Sequence, residues 1–416
     1  MENTQQIAGK LWNRNFSLLV IGQIISIFGN MVLNFVLPLY VLYISGSPAL
    51  FGVVVGLPFL SLLITSPIGG MMADRLRKQR ILFWLDATMT VLIVLYMIIS
   101  GLMASVVPIV IVKLLALNAI QGLYMPAADA SIPLLVPSDK LVPANSAIIS
   151  VNSLANLAAP AVAGILFDRF GLFPILLVSA VCFGATAIMD LLIRIPYKKQ
   201  EASENMLQMV KSDMSQALRF MVKESPILAR LMVILLLLTL VAGGIILVGL
   251  PVLITQNLGM SMEDAGFSKG ITASGILIGS MLAASLGDRL TIRKAYLPLL
   301  GCVMTLIPIG AVFLFDTSTF VAYVVITASA TLTFTIMQLV TIPMMVHVQK
   351  ETPTELLGKV MSLIPVLPFV ANGIGLVLFG VLFELFYTEP WIVIFTAAVI
   401  GIIVALYSRR YLNIES

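Results

Sequence analysis

The chain has 416 residues, of which 60% are apolar and 11% are charged, and its formal net charge is +4. A soluble domain carries about 25% charged residues, so this composition excludes a soluble enzyme and a disordered scaffold. The apolar residues form long continuous runs, which predict membrane-spanning helices and not the short alternating segments of a β-barrel. We therefore predict an all-α membrane protein.

Hydropathy along the chain predicts twelve spans, six in each half. The predicted spans cover residues 16–44, 48–73, 81–101, 106–130, 141–166, 171–194, 227–255, 264–287, 293–316, 319–347, 359–385 and 390–409. The stretch between the sixth and seventh spans is the one candidate linker. The sequence therefore predicts an N-terminal bundle over 1–194, a linker over 195–226 and a C-terminal bundle over 227–416.

Lysine and arginine residues lie almost entirely on one side of this map. All but three of the 24 fall in the turns and tails of that side, and the exceptions are Lys113, Arg169 and Lys269. By the positive-inside rule, this side is cytoplasmic and both termini lie there. The basic character is thus a topology signal, and we expect a multi-pass protein of the cell membrane with the lipid bilayer, and no nucleic acid, as its partner.

The linker carries apolar residues at helical spacing with charged residues between them. The apolar positions are Leu207, Val210, Met214, Leu218 and Met221. This pattern predicts an amphipathic helix that lies at the cytoplasmic surface of the membrane. Its simplest role is a tether that connects the two halves.

Few residues are available for catalysis or metal binding. His347 is the one histidine, and Cys182 and Cys302 both lie inside apolar runs. The chain has no G-x-x-x-x-G-K-[ST] loop for a nucleotide. We therefore predict no enzymatic activity, no catalytic residue, no metal site and no cofactor, and we expect any uphill work to draw on an ion gradient or a partner.

The two halves repeat one short motif. Asp74-Arg75-Leu76 follows the second span, and Asp288-Arg289-Leu290 follows the eighth, about half the chain away. An internal repeat of this period predicts two fused six-helix bundles with a transport site between them.

The turn after the second span resembles motif A of the major facilitator superfamily, G-x-L-a-D-R-x-G-R-K. Its matching residues are Gly70, Asp74, Arg75 and Lys78, whereas Arg77 replaces the second glycine. The resemblance implies the major facilitator fold, with two pseudo-symmetric six-helix bundles. It also implies that Asp74 engages the start of the eleventh span in the outward-facing state and that a basic residue of the turn pairs with Asp129. A turn that only fixes topology is the alternative.

Two further stretches resemble exporters of this superfamily. Ala155 to Gly164, with Pro160, resembles the antiporter motif G-x-x-x-G-P-x-x-G-G with glycines reduced to alanine, although plain helix packing explains it nearly as well. Residues 126–145 and 349–363 are similar to drug:proton antiporters of the macrolide-efflux and siderophore-exporter type. Asn30 stands where many of these exporters carry an acid, and Leu117 and Asn118 stand near their arginine position.

Polar side chains inside the bilayer are costly and usually face the bundle interior. We expect a large, mostly apolar substrate cavity with amide groups and one cation, lined by Gln23, Asn30, Asn34, Lys113, Asn118, Gln121, Asn152, Asn156, Gln338 and Asn372. The alternative for each amide is a hydrogen bond that joins helices, and for Lys113 it is an ammonium group that extends to the outer membrane surface.

Four acids lie inside spans, all near their ends: Asp86, Asp129, Asp190 and Glu384. Asp86 and Asp129 are the candidates for proton coupling, with a structural ion-pair cluster near motif A as the alternative. The leading hypothesis is a proton-driven exporter of amphipathic or drug-like small molecules, functional as a monomer. A lipid or lysolipid flippase and a non-transporting membrane sensor are the two rivals.

Overall fold

The computed structural model describes residues 11–100, 107–196, 206–290, 295–315, 317–364 and 366–412. Within these ranges the chain forms helices and turns and no strand. Twelve of the helices are long and apolar enough to cross a membrane. The predicted all-α architecture with twelve spans is therefore confirmed.

The first six membrane helices follow the predicted order. They are α1 (Arg14–Ser45), α2 (Pro48–Arg75), α3 (Lys78–Ser100), α4 (Val107–Asp129), α5 (Leu141–Phe170) and α6 (Leu172–Leu192). Two short elements, Ile132–Leu135 and Ser138–Lys140, connect α4 to α5. Gly171 has a φ of 72° between α5 and α6, a left-handed conformation that glycine adopts without a steric cost.

The second half begins with the predicted linker helix, Met206–Arg219, and a π-helical turn, Phe220–Glu224. Its membrane helices are α7 (Pro226–Asn257), α8 (Met262–Leu286), α9 (Tyr296–Leu314), α10 (Thr319–Glu351), α11 (Val366–Leu385) and α12 (Pro390–Leu412). A further helix, Thr354–Leu363, precedes α11. Within α7, residues Gly244–Gly249 and Leu253–Asn257 adopt π-helical geometry.

A capping box begins α8. The Ser261 hydroxyl accepts a hydrogen bond from the Asp264 backbone N–H at 3.0 Å, and the Asp264 carboxylate accepts one from the Ser261 backbone N–H at 3.1 Å. These bonds satisfy amide groups that have no partner within the helix. They also place a carboxylate at the positive end of the helix dipole.

The chain packs as two compact units. The first comprises Met1–Val41 and Leu57–Ala202, and the second comprises Leu42–Gly56 and Ser203–Ser416. The start of α2 therefore belongs to the second unit, where the Ala49 backbone N–H donates to a carboxylate oxygen of Glu384 in α11 at 2.9 Å. One turn further, a Cβ added to Gly52 would lie 2.5 Å from the Leu376 carbonyl oxygen.

In the first unit, the start of α1, the start of α3 and the end of α4 pack around one apolar cluster. Its members include Phe16, Leu82, Ala127, Leu135 and Ile148, all buried. Helices α3 and α6 form an extensive contact. This packing brings the polar residues of both helices into the interior of the same unit.

The linker helix packs into the second unit by one face. Ala217, Phe220 and Met221 are buried in a cluster with residues of α7, α9 and α10. In contrast, Met214 is 43% exposed and Leu218 is 39% exposed. Of the predicted apolar positions, Met221 joins the core of the second unit, whereas Met214 and Leu218 remain on the surface. The side chains of Leu207 and Val210 lie outside the described residues.

Candidate functional site

Two of the predicted cavity residues of α1, and a serine between them, are buried inside the first unit. Gln23, Ser26 and Asn30 are 2%, 7% and 8% exposed, respectively. A buried polar group without a hydrogen-bond partner destabilises a protein by about 1–3 kcal/mol. The hydrogen-bond partners of these three side chains on other helices therefore determine the chemistry of the site.

A chain of amide groups joins α1 to α4. The Asn118 side-chain Nδ2 donates to Asn34 Oδ1 at 3.0 Å. The Asn34 Nδ2 in turn donates to the Asn30 carbonyl oxygen at 3.1 Å, and it also contacts Asn30 Oδ1. Three of the ten predicted cavity residues, Asn30, Asn34 and Asn118, thus form one hydrogen-bonded network.

Two aspartates meet beside this network. Asp86 of α3 is 1% exposed and Asp190 of α6 is 2% exposed, and their carboxyl groups lie within hydrogen-bonding reach of each other. The Ser26 hydroxyl of α1 donates to Asp86 Oδ1 at 3.5 Å. No hydrogen-bond donor in the described part of the chain reaches the Oδ2 atom of either aspartate.

A small cavity lies between Asp86 of the carboxyl pair and Asn30 of the amide network. Its volume is about 20 Å³, and its polar lining comes from Ser26, Asn30, Asp86, Gln121 and Tyr124. This is room for a water molecule, and the lining offers such a water several hydrogen-bond partners. The cavity therefore joins α1, α3 and α4 at one polar point inside the unit.

Lys113 of α4 is also buried, at 6% exposure. Its Nζ atom lies 4.2 Å from the centroid of the Tyr96 ring of α3. The ammonium group has no hydrogen-bond partner among the described residues, so the ring face provides its main stabilisation. The side chain does not extend to the outer surface, and that alternative for Lys113 is wrong in this structure.

The other predicted cavity residues do not join this cluster. Asn152 and Asn156 of α5 donate to carbonyl groups one turn back in their own helix, and Asn156 is exposed. Gln338 packs against Gly279 in the second unit, and Asn372 packs against Gly243 with its Oδ1 atom unpartnered. On α5, Pro160 and Gly164 lie in a buried stripe with three alanines.

Motif A differs in part from the expectation. A Cβ added to Gly70 would meet nothing within 4 Å, whereas one added to the neighbouring Gly69 would lie 2.5 Å from the Gly122 carbonyl oxygen of α4. Asp74, Arg75 and Arg289 are exposed and Lys78 is partly buried, while the side chain of Asp288 lies outside the described residues. Gly69 is therefore the glycine that allows close helix approach.

Asp129 is exposed at the end of α4. In the described part of the chain, no lysine or arginine forms a salt bridge with it. The ion pair expected between Asp129 and the motif A turn is thus not formed in this conformation.

The sequence analysis did not predict that Asp86 and Asp190 are close together. Each is visible as an acid inside an apolar run, Asp86 near the start of its span and Asp190 near the end of its span. Hydropathy locates both acids along the chain but does not say that α3 and α6 are neighbours. The one signal for the pair in the sequence was that both acids lie inside apolar spans of the same half of the chain, where an acid is unexpected.

Comparison with known proteins identifies the fold and the family. A model of the Major Facilitator Superfamily matches residues 19–375. The Multidrug resistance proteins MdtG of Escherichia coli (strain SMS-3-5 / SECEC) and Escherichia fergusonii are each 28% identical over 315 residues, which cover 72% of this chain and 73% of theirs.

Two solved structures share the architecture. A bacterial homologue of the iron transporter ferroportin superposes with a TM-score of 0.71 at 18% identity, covering 95% of this chain and 98% of that one. A bacterial homologue of the human lysosomal transporter Spinster gives a TM-score of 0.71 at 15% identity, covering 95% and 96%. The chain therefore belongs to the Major Facilitator Superfamily, and it is a membrane transporter and not an enzyme.

Proposed function

We propose that this transporter exports amphipathic or drug-like small molecules in exchange for protons. The observation that carries the proposal is the buried carboxyl pair of Asp86 and Asp190, because an exchanger needs an ionisable group that leaves the bulk solvent. The MdtG relatives support the cargo class, since they are multidrug resistance proteins. The energy source is the proton gradient, with no cofactor.

The cargo class also agrees with the side chains on the first unit. Beside the carboxyl pair, the polar groups described there include the amide network and the ammonium group of Lys113, and apolar residues surround them. A sugar requires many hydroxyl partners, whereas an amphipathic molecule needs apolar contact and a few polar groups that fix its orientation. We place the protein in the cytoplasmic membrane as a monomer, with both termini in the cytoplasm.

Transport follows from alternating access between the two units. In this scheme, cargo binds from the cytoplasm, the protein changes conformation, and cargo leaves on the outside while protons move inward. A proton must bind in one conformation more tightly than in the other for the gradient to drive export.

Everted membrane vesicles test this function. A pH gradient, acidic inside, should drive accumulation of a fluorescent lipophilic dye, because the vesicle interior corresponds to the cell exterior. A protonophore should abolish accumulation, and vesicles without the protein give the background. Accumulation that persists undiminished after the gradient has been collapsed would contradict antiport.

The flippase is the second candidate, and one observation favours it: Asn30 is an uncharged member of an amide network where related exporters carry an acid. Proteoliposomes with a fluorescent lysolipid distinguish the two functions. Lipid translocation without a pH gradient, together with no accumulation of dye in everted vesicles, would establish the flippase and reject the exporter.

A further inference from the structure

We infer that Asp86 and Asp190 form a single proton-binding site, in which two carboxyl groups on different helices share one proton. The inference rests on the proposed proton coupling and names its carrier as a pair instead of one acid. Asp190 has no other role in the structure, since it contributes no capping bond and no salt bridge within the described residues.

The shared proton explains the hydrogen bonding of the pair. Both carboxyl groups are at least 98% buried, they face each other, and neither Oδ2 atom receives a donor from the described residues. Two carboxylates in contact cannot both remain ionised at low dielectric. One proton held between them supplies the missing donor and removes one of the two charges.

Among the described residues, no lysine or arginine pairs with the two aspartates and could replace the proton. Ser26 from α1 and Tyr124 from α4 are the groups that face the pair from the neighbouring helices, and both are uncharged hydroxyl groups. No described lysine or arginine forms a salt bridge with either aspartate. The net charge of the pair therefore changes when the proton leaves.

The cavity beside Asp86 has room for a proton acceptor. Asp86 lines it together with Gln121 and Tyr124, and its volume of about 20 Å³ accommodates a water molecule. In the transfer step the O–H bond of the protonated carboxyl group breaks, a bond to the cavity water forms, and the pair is left as two carboxylates. Like-charge repulsion then disfavours the close contact of α3 with α6, which links the proton to the packing of these helices.

The test compares two transport modes in proteoliposomes. Asp190→Asn and Asp86→Asn should each abolish accumulation of dye driven by a pH gradient, while exchange of labelled for unlabelled dye at equal pH persists. The double variant should be no worse than either single variant, because the two residues act as one site. Asp139→Asn, an exposed aspartate in a 3.4 Å ion pair with Lys140, is the matched control and should behave as wild type.

Each result has one interpretation. If wild-type protein shows exchange but no gradient-driven accumulation, the proposed antiport fails, whatever the variants do. If wild type accumulates dye and Asp190→Asn accumulates it equally well, antiport stands and the paired site is wrong.

If a variant loses both transport modes, infrared spectroscopy of the purified protein still tests the shared proton. Wild type and Asp139→Asn should show the carbonyl band of a protonated, solvent-shielded carboxyl group at neutral pH, and the double variant should lack it. A band of equal intensity in the double variant would overturn the inference even without transport data.

Discussion

At the scale of single residues, Lys113 shows how an ammonium group is kept inside this protein. A charged side chain in the middle of the bilayer destabilises membrane insertion of a helix by about 2.5 kcal/mol or more. A cation–π contact shielded from water stabilises the charge by about 2 kcal/mol. The Tyr96 ring, 4.2 Å from Nζ, therefore offsets much of the unfavourable burial. No carboxylate among the described residues pairs with this buried ammonium group.

This balance predicts different outcomes for the two partners. Lys113→Met, which removes the charge and keeps the length, should leave the melting temperature unchanged and reduce dye export. Tyr96→Leu should destabilise the protein by about 1–2 kcal/mol because it leaves the ammonium group without its ring. Thermal unfolding in detergent measures both.

The double variant Lys113→Met/Tyr96→Leu is the control for this pair. It should recover most of the stability lost in Tyr96→Leu, since the buried charge is then absent. If the stability losses of the two single variants simply add in the double variant, the cation–π contact contributes nothing to stability. If Lys113→Met leaves the export of every cargo unchanged, Lys113 is not part of the substrate site.

At the scale of elements, glycines determine how closely the helices approach. Gly69 of α2 lies against the Gly122 backbone of α4, and Ser61 of α2 donates to the Leu115 carbonyl oxygen of α4 at 2.8 Å. In the second unit, a Cβ added to Gly375 of α11 would lie 2.5 Å from the Leu240 carbonyl oxygen of α7. Small residues allow such contacts between helices in a membrane.

The neighbouring glycines of α2 provide a matched pair. Gly69→Ala should destabilise the protein by about 1–3 kcal/mol, because the added methyl group must displace the α4 backbone. Gly70→Ala faces open space and should leave the stability unchanged or raise it by up to about 1 kcal/mol. Equal melting temperatures for the two variants would contradict the close contact of α2 with α4.

The elements were predictable and several of their contacts were not. Lipid requires every backbone group to be paired within the chain, so a long apolar run leaves helix as the only choice, and all twelve spans were found. Helix neighbours depend on three-dimensional packing that hydropathy does not encode. For this reason Asp86 was identified as a candidate but its partner Asp190 was not, and Gly70 was selected where Gly69 makes the contact.

At the scale of the whole molecule, the chain forms two units that do not divide at one point in the sequence. Residues 42–56 pack with the second unit. The linker helix adds Ala217 to the core of that unit, and the π-helical turn after it adds Phe220 and Met221. The amide network and the carboxyl pair both lie in the first unit. Proton binding and substrate binding are therefore proposed to be linked through the helices of that unit.

Proton release on substrate binding tests this linkage most directly. An exchanger that binds either cargo or proton must release protons when cargo is added, since the coupling between two ligands is reciprocal. Purified wild-type protein in weakly buffered detergent solution should therefore acidify the medium on addition of a transported dye, whereas the Asp86→Asn/Asp190→Asn double variant should not. Equal proton release from the double variant and the wild type would contradict the account.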